Sequence, residues 1–140
     1  MTLSLIDVAR EVGKFVYSAG DGKVGWALRC EYAEAATAVL VSGDDYNQIL
    51  ELAGTPVTYG DLAVAVSSAL NEEFKILSLD AHDHKRFLIN NDVPEGVANY
   101  LVGVQQNIKN GMLDYESDDF RKVLGHDLTP LTEAVAEIIE

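Results

Sequence analysis

Helical spacing fills most of this chain and leaves room for only about four short strands, too few for a complete doubly wound sheet. Leu5, Val8, Ala9 and Val12 recur at i, i+3, i+4 and i+7, and Gly13 ends that opening helix. Lys14 to Ala19 reads as extended, with Phe15 and Tyr17 on one face. Val24, Trp26 and Leu28 alternate in the same way beyond a Gly-rich turn. From Glu31 the helical period returns, placing Tyr32, Ala35, Ala36, Val39 and Leu40 on one stripe until Ser42-Gly43-Asp44-Asp45 stops it. Gln48 to Leu52 reads as a short strand, closed by Gly54 and Pro56.

The rest is nearly all helix. Thr58 is an N-cap whose third-position partner is Asp61, and Leu62, Ala65, Val66, Ala69 and Leu70 form the stripe of the helix it starts. Phe74 to Leu79 is the last strand. Asp80 caps a short helix running to about Ile89. Pro94 opens the longest helix, which turns Val97, Tyr100, Leu101, Val104 and Ile108 inward and stops at Gly111. Ser117 caps a short helix ending before Gly125, and Thr129-Pro130 opens a final one. The class is therefore α/β or α+β: a mostly helical lobe of about seven helices and four short strands.

Composition narrows the function. The chain has 140 residues, a length that suggests one domain, and 23 acidic against 10 basic residues give it a net charge of −13. Such a surface repels phosphate backbones and anionic membranes, so no nucleic-acid or membrane partner is expected. No apolar run is long enough for a transmembrane span, and no signal peptide precedes the first helix. The single cysteine, Cys30, cannot close an internal disulfide, which fits a soluble protein of a reducing cytoplasm.

Each motif that could carry chemistry has a plainer explanation. Gly20-Asp21-Gly22-Lys23-Val24-Gly25 matches G-x-G-x-x-G, whose mechanism needs a helix opening on the third glycine to face a pyrophosphate. Here extended residues come next, and Asp21 puts a carboxylate where phosphate would approach, so the run is a turn. Asp80, His82, Asp83 and His84 suggest a metal cluster, but residues two apart on a helix face opposite ways. They read as a capped, solvated first turn that binds no structural metal. Cys30 at a helix start beside Arg29 has no histidine partner and reads as packing. Ser117 lacks the surroundings of a nucleophilic serine. No catalytic residues, cofactor-binding residues or metal ligands are assigned.

The run Ala19-Gly20-Asp21-Gly22-Lys23-Val24, continuing through Trp26-Ala27-Leu28-Arg29 into Glu31-Tyr32-Ala33-Glu34-Ala35-Ala36, resembles NmrA-like NAD(P)H-dependent quinone oxidoreductases. These are atypical members of the short-chain dehydrogenase/reductase superfamily. Leu50-Glu51-Leu52-Ala53-Gly54 with Val57-Thr58-Tyr59-Gly60-Asp61-Leu62-Ala63 is similar to their next strand-turn-helix. Asp118-Asp119-Phe120 to Leu124-Gly125 and Thr129-Pro130-Leu131 are similar to their C-terminal end. The resemblance covers essentially the whole chain but only the C-terminal half of the family. Two departures stand out: no tyrosine has a lysine four residues on, and Cys30 occupies a position where an acidic or small polar residue is expected.

The resemblance implies that residues 1–140 are a single substrate-binding lobe, the C-terminal half of an NAD(P)-binding Rossmann-like fold, without the N-terminal nucleotide-binding domain. It implies NADPH as the cofactor of the full-length relative and none for the isolated chain, which is then inactive alone. Phe15, Tyr17, Trp26 and Arg29 are the candidate pocket walls for a small aromatic, quinone-like ligand. The alternative is a stand-alone binding or regulatory module without catalysis. Either a homo-oligomer or a missing Rossmann half is the expected partner. The apolar face left open for it is expected on the opening helix, at Leu5, Ile6 and Val8.

Overall fold

β1 (Lys14–Tyr17) and β4 (Lys75–Ser78) run parallel, with Phe15 opposite Ile76 and Val16 opposite Leu77. In the computed structural model, which describes residues 2–43 and 47–139 with side chains from Leu5 onward, helices cover both faces of β1, while β4 is largely exposed. Phe15 and Val16 are both buried, as befits a parallel strand covered on both sides. Phe15 enters the main core with Ile6 and Ala9 of α1 (Thr2–Val12), Leu62 and Val66 of α3 (Tyr59–Leu70) and Val135 of α7 (Leu131–Ile139). Val16 faces the other way, toward Leu88 of α4 (Ala81–Asn90) and Leu101 of α5 (Glu95–Lys109), around a small apolar hollow.

A second sheet pairs β2 (Lys23–Gly25) with β3 (Pro56–Thr58) antiparallel, Val24 opposite Val57. The remaining helices, α2 (Arg29–Val41) and α6 (Asp119–Leu124), pack on each other through Tyr32 and the fully buried Phe120, whose rings lie 4.8 Å apart. The chain is thus mixed α/β and mostly helical, as its spacing indicates. No helix among the described residues is long and apolar enough to cross a membrane.

Four expectations need correction. Gln48 to Leu52 joins neither sheet; the third strand is Pro56–Thr58. The cause is a close approach at Gly25 and Gly54, where a Cβ on either glycine would strike the other segment's backbone, so β2 draws in the stretch after Gly54 instead. The inward stripe of α5 is Ala98, Val102, Gln105 and Ile108, rotated by one residue, and it leaves Val97 and Tyr100 exposed. The small Ala98 lets α4 pack closely, and Gln105 is drawn inward by a polar partner on β1's exit. The opening helix is not the open face: Ile6 is 1% exposed, and Leu5 and Ala9 are also buried. Conversely, Ala36 and Leu40 of the α2 stripe point to solvent, Leu40 at 83% exposure. Asp44 and Asp45, expected to stop α2, lie outside the described residues, and the helix ends at Val41 with Ser42 as its cap.

Candidate functional site

The cap that starts α3 also positions the floor of an apolar cavity. Thr58 Oγ1 accepts the Asp61 N–H at 3.1 Å, while Asp61 Oδ2 accepts the Thr58 N–H at 2.9 Å and its hydroxyl at 2.7 Å. These bonds hold the Asp61 carboxyl below the usual carboxylate range. Fixed in this way, α3 presents Leu62 to a hollow of about 270 Å3 between the end of β2, β3 and α7. Trp26 and Leu28 form one wall, Val57 the back, and Ala134, Val135 and Ile138 of α7 the other wall. Its size and apolar lining suit one small ring system, at the low end of ligand sites.

Glu31 sets the mouth. Its side chain is only 4% exposed, yet both oxygens are satisfied by backbone: Oε2 accepts the Leu28 N–H at 2.7 Å and Oε1 the Thr129 N–H at 2.6 Å. One carboxylate thus ties the Trp26–Leu28 wall to the segment that leads into α7. Burial of this carboxylate is tolerable because two N–H donors replace its water. Sequence reasoning missed Glu31. Its signal was half a capping box, a glutamate at the third helical position with Leu28, which has no acceptor, at the cap.

Of the four expected pocket residues, three stand in one aromatic row. Phe15 meets Tyr17 edge-on at 6.5 Å, Tyr17 stacks on Tyr59 at 5.7 Å, and Tyr59 meets Trp26 edge to face at 5.5 Å. Only Trp26 reaches the cavity; Phe15 lies in the core and Tyr17 behind Tyr59. Arg29 is exposed at the first residue of α2 and does not line the hollow. Tyr59, absent from the expected set, is the link that joins the row. Burial pushes its hydroxyl up to about 12, and that oxygen has no partner among the described residues. The ring is therefore neutral packing behind Trp26 and not an acid at physiological pH.

The Gly-rich run is a turn, closed by the Gly22 N–H to the Ala19 carbonyl at 3.0 Å. Gly20 takes a positive φ of +54°, and a Cβ at Gly22 would collide with the Ile108 backbone. The glycines are consumed by turn and packing, and no helix opens on Gly25, so these residues do not fit a dinucleotide pyrophosphate.

The acidic–histidine cluster splits as its spacing demands. His82 is exposed and His84 fully buried. Ligand atoms of Asp80, His82 and Asp83 come within 4.8 Å of one another, all three exposed, with Asp80 already capping the Asp83 N–H at 2.8 Å. A solvated first turn is not what His84 occupies. Its Nδ1 shares a 2.9 Å hydrogen bond with the Ser18 hydroxyl. Gln105 Oε1 accepts the Ser18 N–H at 2.5 Å, and Gln106 Nε2 donates to the Ser18 carbonyl at 3.0 Å. The cluster bolts the exit of β1 to α4 and α5. Cys30 is exposed on α2, its sulfur 4.0 Å from a Glu137 oxygen, and is not a packing residue.

No family model matches the chain. It is 30% identical over 137 residues to quinone oxidoreductase 2 of Escherichia coli, covering 97% of this chain and 48% of that protein. The crystal structure of the E. coli NADPH-dependent quinone oxidoreductase complexed with NADPH superposes with a TM-score of 0.87 at 29% identity, over 99% of this chain and 50% of the other. The Citrobacter triphenylmethane reductase complexed with NADP(H) gives 0.85 at 32% identity, over 94% and 46%. The matched part is the C-terminal half of such Rossmann-like reductases. The chain thus spans about half the length of these relatives, and over that half it is similar throughout to an NmrA-like, atypical short-chain dehydrogenase/reductase of the quinone oxidoreductase type.

Proposed function

We propose that this chain is the substrate-binding lobe of an NAD(P)H-dependent reductase of the quinone oxidoreductase type, with the nicotinamide carried by a separate nucleotide-binding half. The observation that carries this reading is the end-to-end similarity to half of the E. coli quinone oxidoreductase, at 97% of this chain. The apolar hollow beside Trp26 supports it, because a flat, uncharged acceptor needs walls more than charges. In this role the chain orients the acceptor and excludes water, while the cofactor supplies hydride. Phe15, Tyr17 and Tyr59 act by holding Trp26 in place, and Arg29, exposed and outside the hollow, takes no part in lining it.

Trp26 is the sole tryptophan, so its fluorescence reports on the hollow directly. Titrating the isolated chain with a small naphthoquinone is expected to quench it saturably, and Ala134→Leu, which fills the cavity wall, to remove the saturable part. NADPH is expected to give no saturable change and no quinone-dependent oxidation. Quinone quenching that ignores Ala134→Leu, or saturable NADPH binding by the isolated chain, refutes the reading.

A further inference from the structure

The face of β1 that turns away from the main core borders a second hollow, which quinone binding does not use. It measures about 120 Å3, lies between α1, β1, α4 and α5, and shares no lining residue with the hollow beside Trp26. Eight apolar side chains line it, with a single charged one, Lys14. Leu5, Val16 and Leu88 are buried, whereas Lys14 and Val97 are exposed, so the hollow opens to solvent beside these two. None of the eight apolar side chains offers water a hydrogen bond. An apolar cavity of roughly 150 Å3 stays dry and takes up a benzene, so this one suits a ring or short chain of about that size.

The second observation is electrostatic and comes from strand register. β1 and β4 run parallel, and the residue paired with Lys14 is Lys75. Paired residues project from the same face of a sheet whose strands lie about 4.8 Å apart. Two cations therefore stand side by side at the open end, in a chain with only 10 basic residues against 23 acidic ones. Like charges directly across a strand pair are unfavourable. The lysine and arginine ion pairs among the described residues engage Lys85, Arg86, Arg121 and Lys122 instead. Glu95, the one acid of α5, is taken by Lys85 at 2.8 Å. An anionic group set between Lys14 and Lys75 relieves their repulsion. The net charge of −13 disfavours a polyanion, so that group carries a single charge.

We propose that the hollow between α1, β1, α4 and α5 binds a small amphiphilic carboxylate, its apolar body against Val16, Leu88 and Leu101 and its charged head between Lys14 and Lys75. Neither part suffices alone. The lysines are exposed and hold an isolated anion weakly, because salt and water screen them. The apolar lining by itself does not distinguish an acid from an alcohol of the same length. This site is independent of quinone binding beside Trp26.

Titrating the full chain with hexanoate and following backbone amide resonances tests it. Saturable shifts are expected at residues 14–16, 88 and 97–101, with none at Trp26. 1-Hexanol, which keeps the body and drops the charge, is expected to bind about tenfold more weakly. Acetate, which keeps the charge and drops the body, is expected to give no saturable shift. Replacing both exposed lysines, Lys14→Gln with Lys75→Gln, is expected to lower hexanoate to the level of hexanol and leave hexanol unchanged. Val97→Phe, which sets a ring at the open end, is expected to abolish the binding of both. Absence of saturable hexanoate binding, equal binding of hexanoate and hexanol by the parent chain, shifts centred on Trp26 to Leu28, or full hexanoate affinity in the double lysine variant would each overturn the proposal.

Discussion

α1 and α2 carry stripes of similar apolar content, and the fold treats them in opposite ways. On α1, Leu5, Ile6 and Ala9 disappear beneath α3 and β1. On α2, only Glu31 and Ala35 are buried, and Leu40 and Val41 stand in solvent. A stripe says that a helix face needs cover; it does not say which element supplies it. The difference lies in the segment at the C-terminal end of each helix. α1 runs straight into β1, whose parallel partner brings α3 back across the same face within one crossover. α2 leads into a stretch that pairs with nothing described, so nothing returns over its outer side.

The largest effect should therefore fall on α1. Ile6→Ala removes a side chain that is fully enclosed between helices, and such truncations cost about 3 kcal/mol. Urea unfolding monitored at Trp26 measures it. A cost below about 1 kcal/mol would mean that α1 is as loosely covered as α2.

The covered side also contains its own weakness. Burial pulls the His84 imidazole down to about 4, from an ordinary value of 6.5, because its Nε2 has no partner among the described residues and a charge there would be desolvated. The unfolded chain then binds a proton that the folded chain refuses. Stability is complete above pH 6.5, falls as pH drops from 6.5 toward 4, and levels off below 4. At about 1.4 kcal/mol per pKa unit, the loss across that window approaches about 3 kcal/mol. His126, on the α2 side, has the opposite sign. The Asp127 carbonyl at 2.8 Å and the Glu34 carboxylate at 3.0 Å raise it, so what it contributes is present at low pH and fades as pH rises above 6.5. Unfolding free energies at pH 7 and 4.5 for the parent and His84→Phe separate the two. If the parent keeps its stability at pH 4.5, His84 is hydrated and the Ser18 cluster is open.

How much of this could be read from residues differs across the two sides. The cap at Thr58, the turn at Gly20–Gly22 and the caps at Asp80 and Pro130 are local, and each arises from chemistry within four residues. The rotation of the α5 stripe does not, because Gln105 turns inward only to meet Ser18, 87 residues away. His84 has the same cause. Beside Asp80 and Asp83 it looks like one more solvated polar residue, and only the arrival of β1's exit makes it a core histidine. The pocket was half legible: Trp26 could be picked from its strand pattern, whereas Glu31 and Tyr59 matter through partners 98 residues away and across two sheets. Gln48 to Leu52 has strand character and no strand, because a strand is a relation between two segments and local pattern supplies one.

Glu31 sharpens the contrast from within α2. It is the side chain through which the start of this otherwise open helix is held, by two backbone N–H groups, to the cavity wall. Glu31→Ala leaves both donors unpaired, the Leu28 N–H buried and the Thr129 N–H partly so, at a cost of about 2 kcal/mol. Glu31→Gln keeps one acceptor oxygen and sets an amide N–H against a donor, so it should cost about half as much. The same variants should weaken quinone quenching at Trp26 by loosening the mouth. Loss of stability with quenching intact would separate the staple from the pocket.

The smallest effect belongs at the far end of the same helix, and it is the sharpest test of the contrast. Leu40 is 83% exposed, so Leu40→Ala removes little area from contact with protein. Alanine also has the higher helix propensity, by a few tenths of a kcal/mol, which offsets part of whatever contact is lost. The expected change in the isolated chain is within about 0.5 kcal/mol of zero, as for surface positions generally. Leucine and alanine are both uncharged, so the result is independent of the acidic surface. A cost near that of Ile6→Ala, measured in the same urea series, would mean that something already covers this end of α2 in solution. Repeating the measurement at ten times the protein concentration identifies it: a cost that grows with concentration is a second copy of the chain, and a constant one is the chain's own fold.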